Sequence, residues 1–196
     1  MKTLLRRNFY YGSPVLVARK LIGKTLVRRL EDGTFLEGVI VETEAYAGKS
    51  DPASHAFRGM TTRNRVMFGE AGHAYVYFTY GFHNCLNFVT GKEGIASAVL
   101  IRAVEPTKGV EKMAILRNTK SIANIASGPG KLCQAFSINR SLNGIDVTLK
   151  KSAIYVLDTD LKLKVGSSAR IGIAMGVDKR WRFYAVANVH VSKKPR

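Results

Sequence analysis

The chain has 196 residues, about one domain's length and enough for a self-sufficient hydrophobic core without metal or disulfide staples. Its 46% hydrophobic content excludes wholesale disorder, and no run of about 18 apolar residues is present to form a transmembrane helix. The charge is less ordinary: 31 Lys and Arg against 14 Asp and Glu give +17, an excess that folding does not need and that fits a polyanionic partner, nucleic acid or an anionic membrane.

In chain order, Ser13-Pro14 reads as an N-cap followed by proline at the first helical position, and Gly23 stands where a helix-ending glycine belongs, so a short helix is expected over 14–22. Strands are expected at 25–30 and 35–46, joined by the Asp32-Gly33 turn. From Ala47 to Gly72 no period is sustained, and a loop of that length inside a domain is usually functional. Strands follow at 74–80 and 85–90 around a turn at 81–84, and another at 98–104 that Glu105-Pro106 should end. Helices are expected at 109–118, where Val110, Met113, Ala114 and Arg117 recur at helical spacing, and at 129–136, with Leu132, Ala135 and Phe136 inward. Strands near 153–157, 170–174 and 182–191 complete the chain. The strands are not alternated with helices, which favours α+β over α/β: a single domain, 1–196, with a curved, mainly antiparallel sheet, short flanking helices and long functional loops.

The N-terminus lacks the apolar core of a signal peptide, and the two cysteines, Cys85 and Cys133, form no CxxC. No HExxH, Walker A or GxGxxG pattern occurs, so a cytosolic protein without metal or cofactor is expected.

Three clusters could carry chemistry. In 39–46 the strand period puts Glu42, Glu44 and Tyr46 on one face and Val41 and Thr43 on the other. Those glutamates are either outward groups on a half-solvated strand or include a carboxylate of raised pKa acting as general base on water. In 75–80, Tyr75 and Tyr77 share one face, with Phe78 and Tyr80 on the other; rings so placed either fill a core or stack on nucleobases, and an aromatic at the Tyr80-Gly81 turn could wedge into a duplex. Arg58, Arg63 and Arg65 form a solvated loop or meet phosphates, and Ser127-Gly128-Pro129-Gly130-Lys131 is either a plain turn or an anion-facing helix start.

Val41-Glu42-Thr43-Glu44-Ala45-Tyr46, His55, Thr62-Arg63-Asn64, Met67-Phe68, Tyr75-Val76-Tyr77, Tyr80-Gly81, Cys85-Leu86-Asn87, Arg102-Ala103-Val104-Glu105-Pro106 and 127–135 stand in one order and spacing. Together they resemble the alkyladenine (3-methyladenine, methylpurine) DNA glycosylase family, from about Asn8 to the final strand. The resemblance implies that Glu44 is the catalytic carboxylate activating the water that attacks the sugar C1′, with Arg102 helping to place the nucleotide. It implies that Tyr46 stacks on one face of a flipped purine and His55 and Tyr77 on the other, that Asn87 disfavours guanine's exocyclic amine, and that Tyr80 fills the gap left in the duplex. Gly69-Glu70-Ala71-Gly72 lacks a proline common in the family, and Phe82 replaces a frequent methionine.

On that reading the partner is double-stranded DNA holding a damaged purine, without membrane or metal; the protein is a monomer of the cytoplasm or nucleoid, or of a nucleus. The basic residues Arg58, Arg63, Arg65 and Lys131 are candidates for phosphate contact. No lysine stands out as a Schiff-base nucleophile, so a monofunctional hydrolase is expected. Two rivals are a nucleic-acid-binding protein without catalysis, which gives Glu44 no role, and a glycoside hydrolase using Glu42 and Glu44 as its pair. The second is disfavoured, because parallel side chains two apart on one strand do not flank a sugar bond.

Overall fold

The computed structural model describes residues 2–79, 81 and 83–193. Its elements are β1 (Thr3–Leu4), α1 (Arg7–Tyr10), α2 (Pro14–Leu21), β2 (Thr25–Arg29), β3 (Phe35–Tyr46), β4 (Ala74–Thr79), β5 (His83–Val89), β6 (Ala98–Lys108), α3 (Val110–Arg117), α4 (Pro129–Ala135), β7 (Ile154–Asp158), β8 (Val165–Ser168) and β9 (Arg182–Ala185). The class is α+β: one curled sheet, antiparallel in every described pair, runs β1-β7-β2-β3-β6-β5-β4, with β8 and β9 attached through β3.

Strand β3 organises the sheet. One edge pairs with β6 along its length, while the other is shared between β2 over 35–39 and β9 over 42–44. Bulges between Ile40 and Thr43 mark the handover from β2 to β9, and an extra residue there bends the strand and re-aims its side chains. On one face α2 packs with Val17, Ala18 and Leu21 buried, and Thr43 Oγ1 donates to the Ala18 carbonyl at 2.9 Å. The opposite face at this point carries Glu42 and Glu44. The main core joins α2, α3 and α4 to the sheet through fully buried residues such as Leu21, Leu26, Ile40, Phe88, Ile101 and Phe136; each side chain taken out of water contributes roughly 1.5–3 kcal/mol. A smaller cluster under the long loop contains Ala56, Met67, Tyr75, Val89, Ala96 and Ala98.

The expected helices form. Pro14 opens α2 and Gly23 follows its end at φ 87°, while Ser13 holds the N-cap position through its carbonyl, which accepts from Val17 N, rather than through its hydroxyl. The expected hairpin joins β2 and β3 in the register Thr25↔Val39 to Arg29↔Phe35.

Three strand expectations change. Strand β6 runs through Pro106 to Lys108, because Pro106 pairs with Gly38 beside a register shift and β5 covers β6 only at Ala98–Leu100, so the missing N–H costs no ladder bond there. Residues 170–174 are a loop, and the strand is Val165–Ser168 instead. Gly172 and Gly176 adopt φ 74° and 64°, Arg170 is held by an acidic partner, and the Ile171 N–H goes to a side chain instead of a ladder. The last strand stops at Ala185, since Ala187 turns to φ 62°. Among the described residues no helix is long and apolar enough to cross a membrane.

Candidate active site

Glu44 sits in β3 with no exposed surface. Its Oε1 accepts from the Ile171 backbone N–H at 2.7 Å, its Oε2 accepts from the Tyr46 hydroxyl at 2.8 Å, and Arg102 Nη1 stands 3.3 Å from Oε2. Tyr46, Ile171 and Arg102 all line a cleft of about 360 Å³, near the small end of ligand sites at roughly 300–1,000 Å³. Glu44 lies directly behind that lining. Burial, then the adjacent Glu44 charge, push the Tyr46 phenol up, which keeps it a proton donor.

Glu42, also fully buried, takes a different part. Four donors reach it: Arg102 Nε and Arg182 Nε at 2.8 Å, Ser192 Oγ at 2.9 Å and Ser192 N at 2.7 Å. Burial alone would raise its carboxyl, but Arg102, Arg182 and the Ser192 bonds outweigh that and hold it below the usual carboxylate range. Arg102 therefore bridges both glutamates, with Nε fixed by Glu42 and Nη1 turned to Glu44. Half-solvated, outward glutamates are excluded for both positions, and three donors converge on Glu42 Oε1 while Ser192 N takes Oε2.

The cleft's aromatic wall comes from β4 and the long loop. Tyr75 and Tyr77 share a face as the strand period requires, with ring centroids 5.4 Å apart. His55 stands edge-on to Tyr77 at 4.5 Å, and its Nδ1 is 3.0 Å from the Tyr75 hydroxyl. Partial burial, then Arg63, lower the His55 pKa and disfavour the charged ring; burial pushes the Tyr75 phenol up to about 12. Asn87, on β5, lines the cleft and donates from Nδ2 to the Tyr75 carbonyl at 3.0 Å. Buried Asn64 pins the loop, donating to the His55 and Gly59 carbonyls at 2.8 and 3.0 Å and accepting from Thr61 N at 2.7 Å.

The other expected site residues are dispersed. Tyr80 lies outside the described residues. Arg58 and Arg65 are exposed on the loop. Arg63 turns back instead, with Nη2 donating to the Phe78 carbonyl at 3.1 Å and its guanidinium 5.2 Å from the Tyr77 ring. Lys131 donates to Asn124 Oδ1, and Pro129 of the same helix start reaches the cleft. Cys85 and Cys133 are buried free thiols, and among the described residues no three His, Cys, Asp or Glu are grouped to hold a metal.

Sequence reasoning missed Asp51, Arg170, Ile171, Arg182 and Ser192. Arg170 and Ile171 sit in what reads as an alternating strand, and Ile171 contributes only its backbone. The one legible sign at Asp51 was an acidic residue in a loop where Lys49, Arg58, Arg63 and Arg65 outnumber Asp51 and Glu70.

A family description, Methylpurine-DNA glycosylase (MPG), matches residues 8–189. Three relatives carry the name "Putative 3-methyladenine DNA glycosylase". That of Methanocella arvoryzae is 52% identical over 97% of this chain and 96% of its own length. That of Carboxydothermus hydrogenoformans is 49% identical over 97% and 100%, and that of Clostridium tetani 45% over 97% and 99%. The chain belongs to the methylpurine-DNA glycosylase family.

Proposed function

We propose that this chain, acting as one monomeric domain over 1–196, is a monofunctional DNA glycosylase that removes alkylated purines of the 3-methyladenine type from double-stranded DNA and leaves an abasic site, the first step of base excision repair. The observation that carries this reading is Glu44, held immobile behind an aromatic cleft by three groups that themselves line it. A purine inside a duplex cannot reach such a cleft, so the target nucleotide is flipped out, at a cost of about a few kcal/mol that is least for a damaged base.

In the cleft the purine stacks between Tyr46 on one side and His55 with Tyr77 on the other, and Asn87 fills the space a guanine amino group would need. Tyr80 takes the vacated place in the duplex. A cationic alkylated purine is attracted by the tyrosine faces and leaves readily, so little acid is required. The attacking water is held on the cleft side of Glu44 and Arg102, whose 3.3 Å contact is the longest at the carboxylate. The C1′–N bond breaks with its electron pair passing to the purine, which leaves as the neutral free base; the buried carboxylate stabilises the oxocarbenium-like charge on the sugar and takes the water proton as the oxygen bonds to C1′. No metal or cofactor takes part. Hypoxanthine and ethenoadenine are further substrates of the same cleft, excised more slowly because a neutral leaving base gains less from the tyrosines. The site of action is the cytoplasm or nucleoid, or the nucleus in a eukaryote.

Base release tests the reading. Methylated duplex incubated with the protein should yield free N-alkylpurines by chromatography, with strands broken only after alkaline treatment. A duplex bound tightly with no base released would instead favour the non-catalytic binding protein.

A further inference from the structure

Behind Tyr46 lies a charge pair that the mechanism above does not use. Arg170 and Asp51 are both fully buried in their side chains and bonded two-fold, Nη1 to Oδ2 at 2.5 Å and Nη2 to Oδ1 at 2.7 Å. Arg170 Nη1 also donates to the Ala45 carbonyl at 3.0 Å and Nη2 to the Gly176 carbonyl at 3.3 Å. Its guanidinium lies 4.8 Å from the centroid of Tyr46 and 5.3 Å from that of Trp181. Tyr46 lines the cleft, whereas the fully buried Arg170 side chain does not. Asp51 is in turn held by the N–H groups of Ala47 and Ala53 at 3.3 Å.

We propose that the Asp51–Arg170 pair is a positioning device for Glu44: Arg170 fixes the Tyr46 ring from behind and sets the adjoining Ile171 N–H, so that two of the three groups holding the carboxylate depend on one guanidinium. This rests on the catalytic role assigned to Glu44 above. Tyr46 and Ile171 belong to segments far apart in sequence, and the planar fork of an arginine is suited to locking both at once in a way a lysine is not. Asp51 has a second effect. A bare cation behind Tyr46 would oppose a cationic purine on its other face, and the carboxylate cancels that charge. The pair therefore favours cationic lesions as well as fixing geometry. Gly176 closes the arrangement, since a Cβ there would lie 3.0 Å from Arg170 Nη2 at a backbone φ of 64°.

Three variants test this: D51N, R170K and the double D51N/R170M, each compared with wild type in single-turnover excision of a cationic and a neutral lesion, alongside duplex affinity and melting temperature. D51N leaves a buried guanidinium unpaired and loses stability, whereas the double variant removes both charges and should regain it. The expected result is excision slowed on the order of 10–100-fold in all three, as misplacement of a catalytic group by about 1 Å entails. Duplex affinity should stay within about two-fold, and D51N should lose more on the cationic lesion than on the neutral one. Recovery of excision in the double variant together with its stability would reduce the pair to a structural one and overturn the proposal, as would wild-type rates in R170K. The outcome is separable from failure of the underlying reading, in which wild type itself releases no base.

Discussion

Glu42 and Glu44 are two residues apart on one face of one strand, yet the groups around them give them opposite work. Glu42 is saturated by two guanidiniums and Ser192 and acts as an anchor. Glu44 keeps one long contact, to Arg102, beside the cleft. Replacing Glu42 with Gln leaves Arg182 buried without a counter-charge and Arg102 with Glu44 alone, which costs about 3 kcal/mol, a fall in melting temperature on the order of 10 °C for a chain of this size. The pH dependence follows from the lowered Glu42 pKa. The unfolded chain takes up this proton more readily than the folded one, so the stabilisation is complete above the unfolded value near pH ~4.3 and is lost as pH falls through the folded value. E42Q should therefore melt earlier at neutral pH and show a shallower decline into acid. Parallel melting curves for the two proteins, separated by a constant offset at all pH values, would contradict the anchor role.

At the scale of elements, β3 links the core to the cleft. Its inward Thr43 bonds the Ala18 carbonyl near the end of α2, where the Ile22 N–H goes to Arg19 instead. T43V keeps the shape but strands a buried acceptor, and should cost about 1–3 kcal/mol in chemical denaturation; a loss of less than a few tenths would mean the hydroxyl is dispensable. The alternation of 39–46 was legible because period two survives in a bulged strand at Glu42, Glu44 and Tyr46, and the helix α2 was legible from Pro14 and Gly23. What could not be read is what those side chains meet. Period alone leaves Glu42 either outward or buried, and its burial depends on Arg182 and Ser192, 140 and 150 residues away. The 170–174 segment misled for a related reason. Its apolar alternation at Ile171 and Ile173 serves the cleft wall, and tertiary bonds to Asp51 and Glu44 replace the ladder that alternation normally signals.

For the whole molecule, the proposed function gives the +17 charge the task of gathering duplex to the cleft, with little part in the chemistry. Affinity for undamaged duplex should fall steeply and linearly with the logarithm of salt. R58A and R65A, at exposed loop positions, should each lower that slope by about 1 without changing the excision rate of bound substrate. R63A behaves differently, since Arg63 braces Tyr77 and the Phe78 carbonyl: it should slow excision as well. Slopes unchanged from wild type in all three variants would place the phosphate track elsewhere on the surface.

The most direct test of the account is the single-turnover excision rate of E44Q on methylated duplex at saturating protein. Gln preserves the shape and the ability to accept from Ile171 N, but cannot take a proton from water or balance charge on the sugar. The predicted result is a rate lower by about 10²–10⁴-fold with duplex affinity retained. Free base released by E44Q at the wild-type rate would remove Glu44 from the chemistry and with it the reading of the cleft.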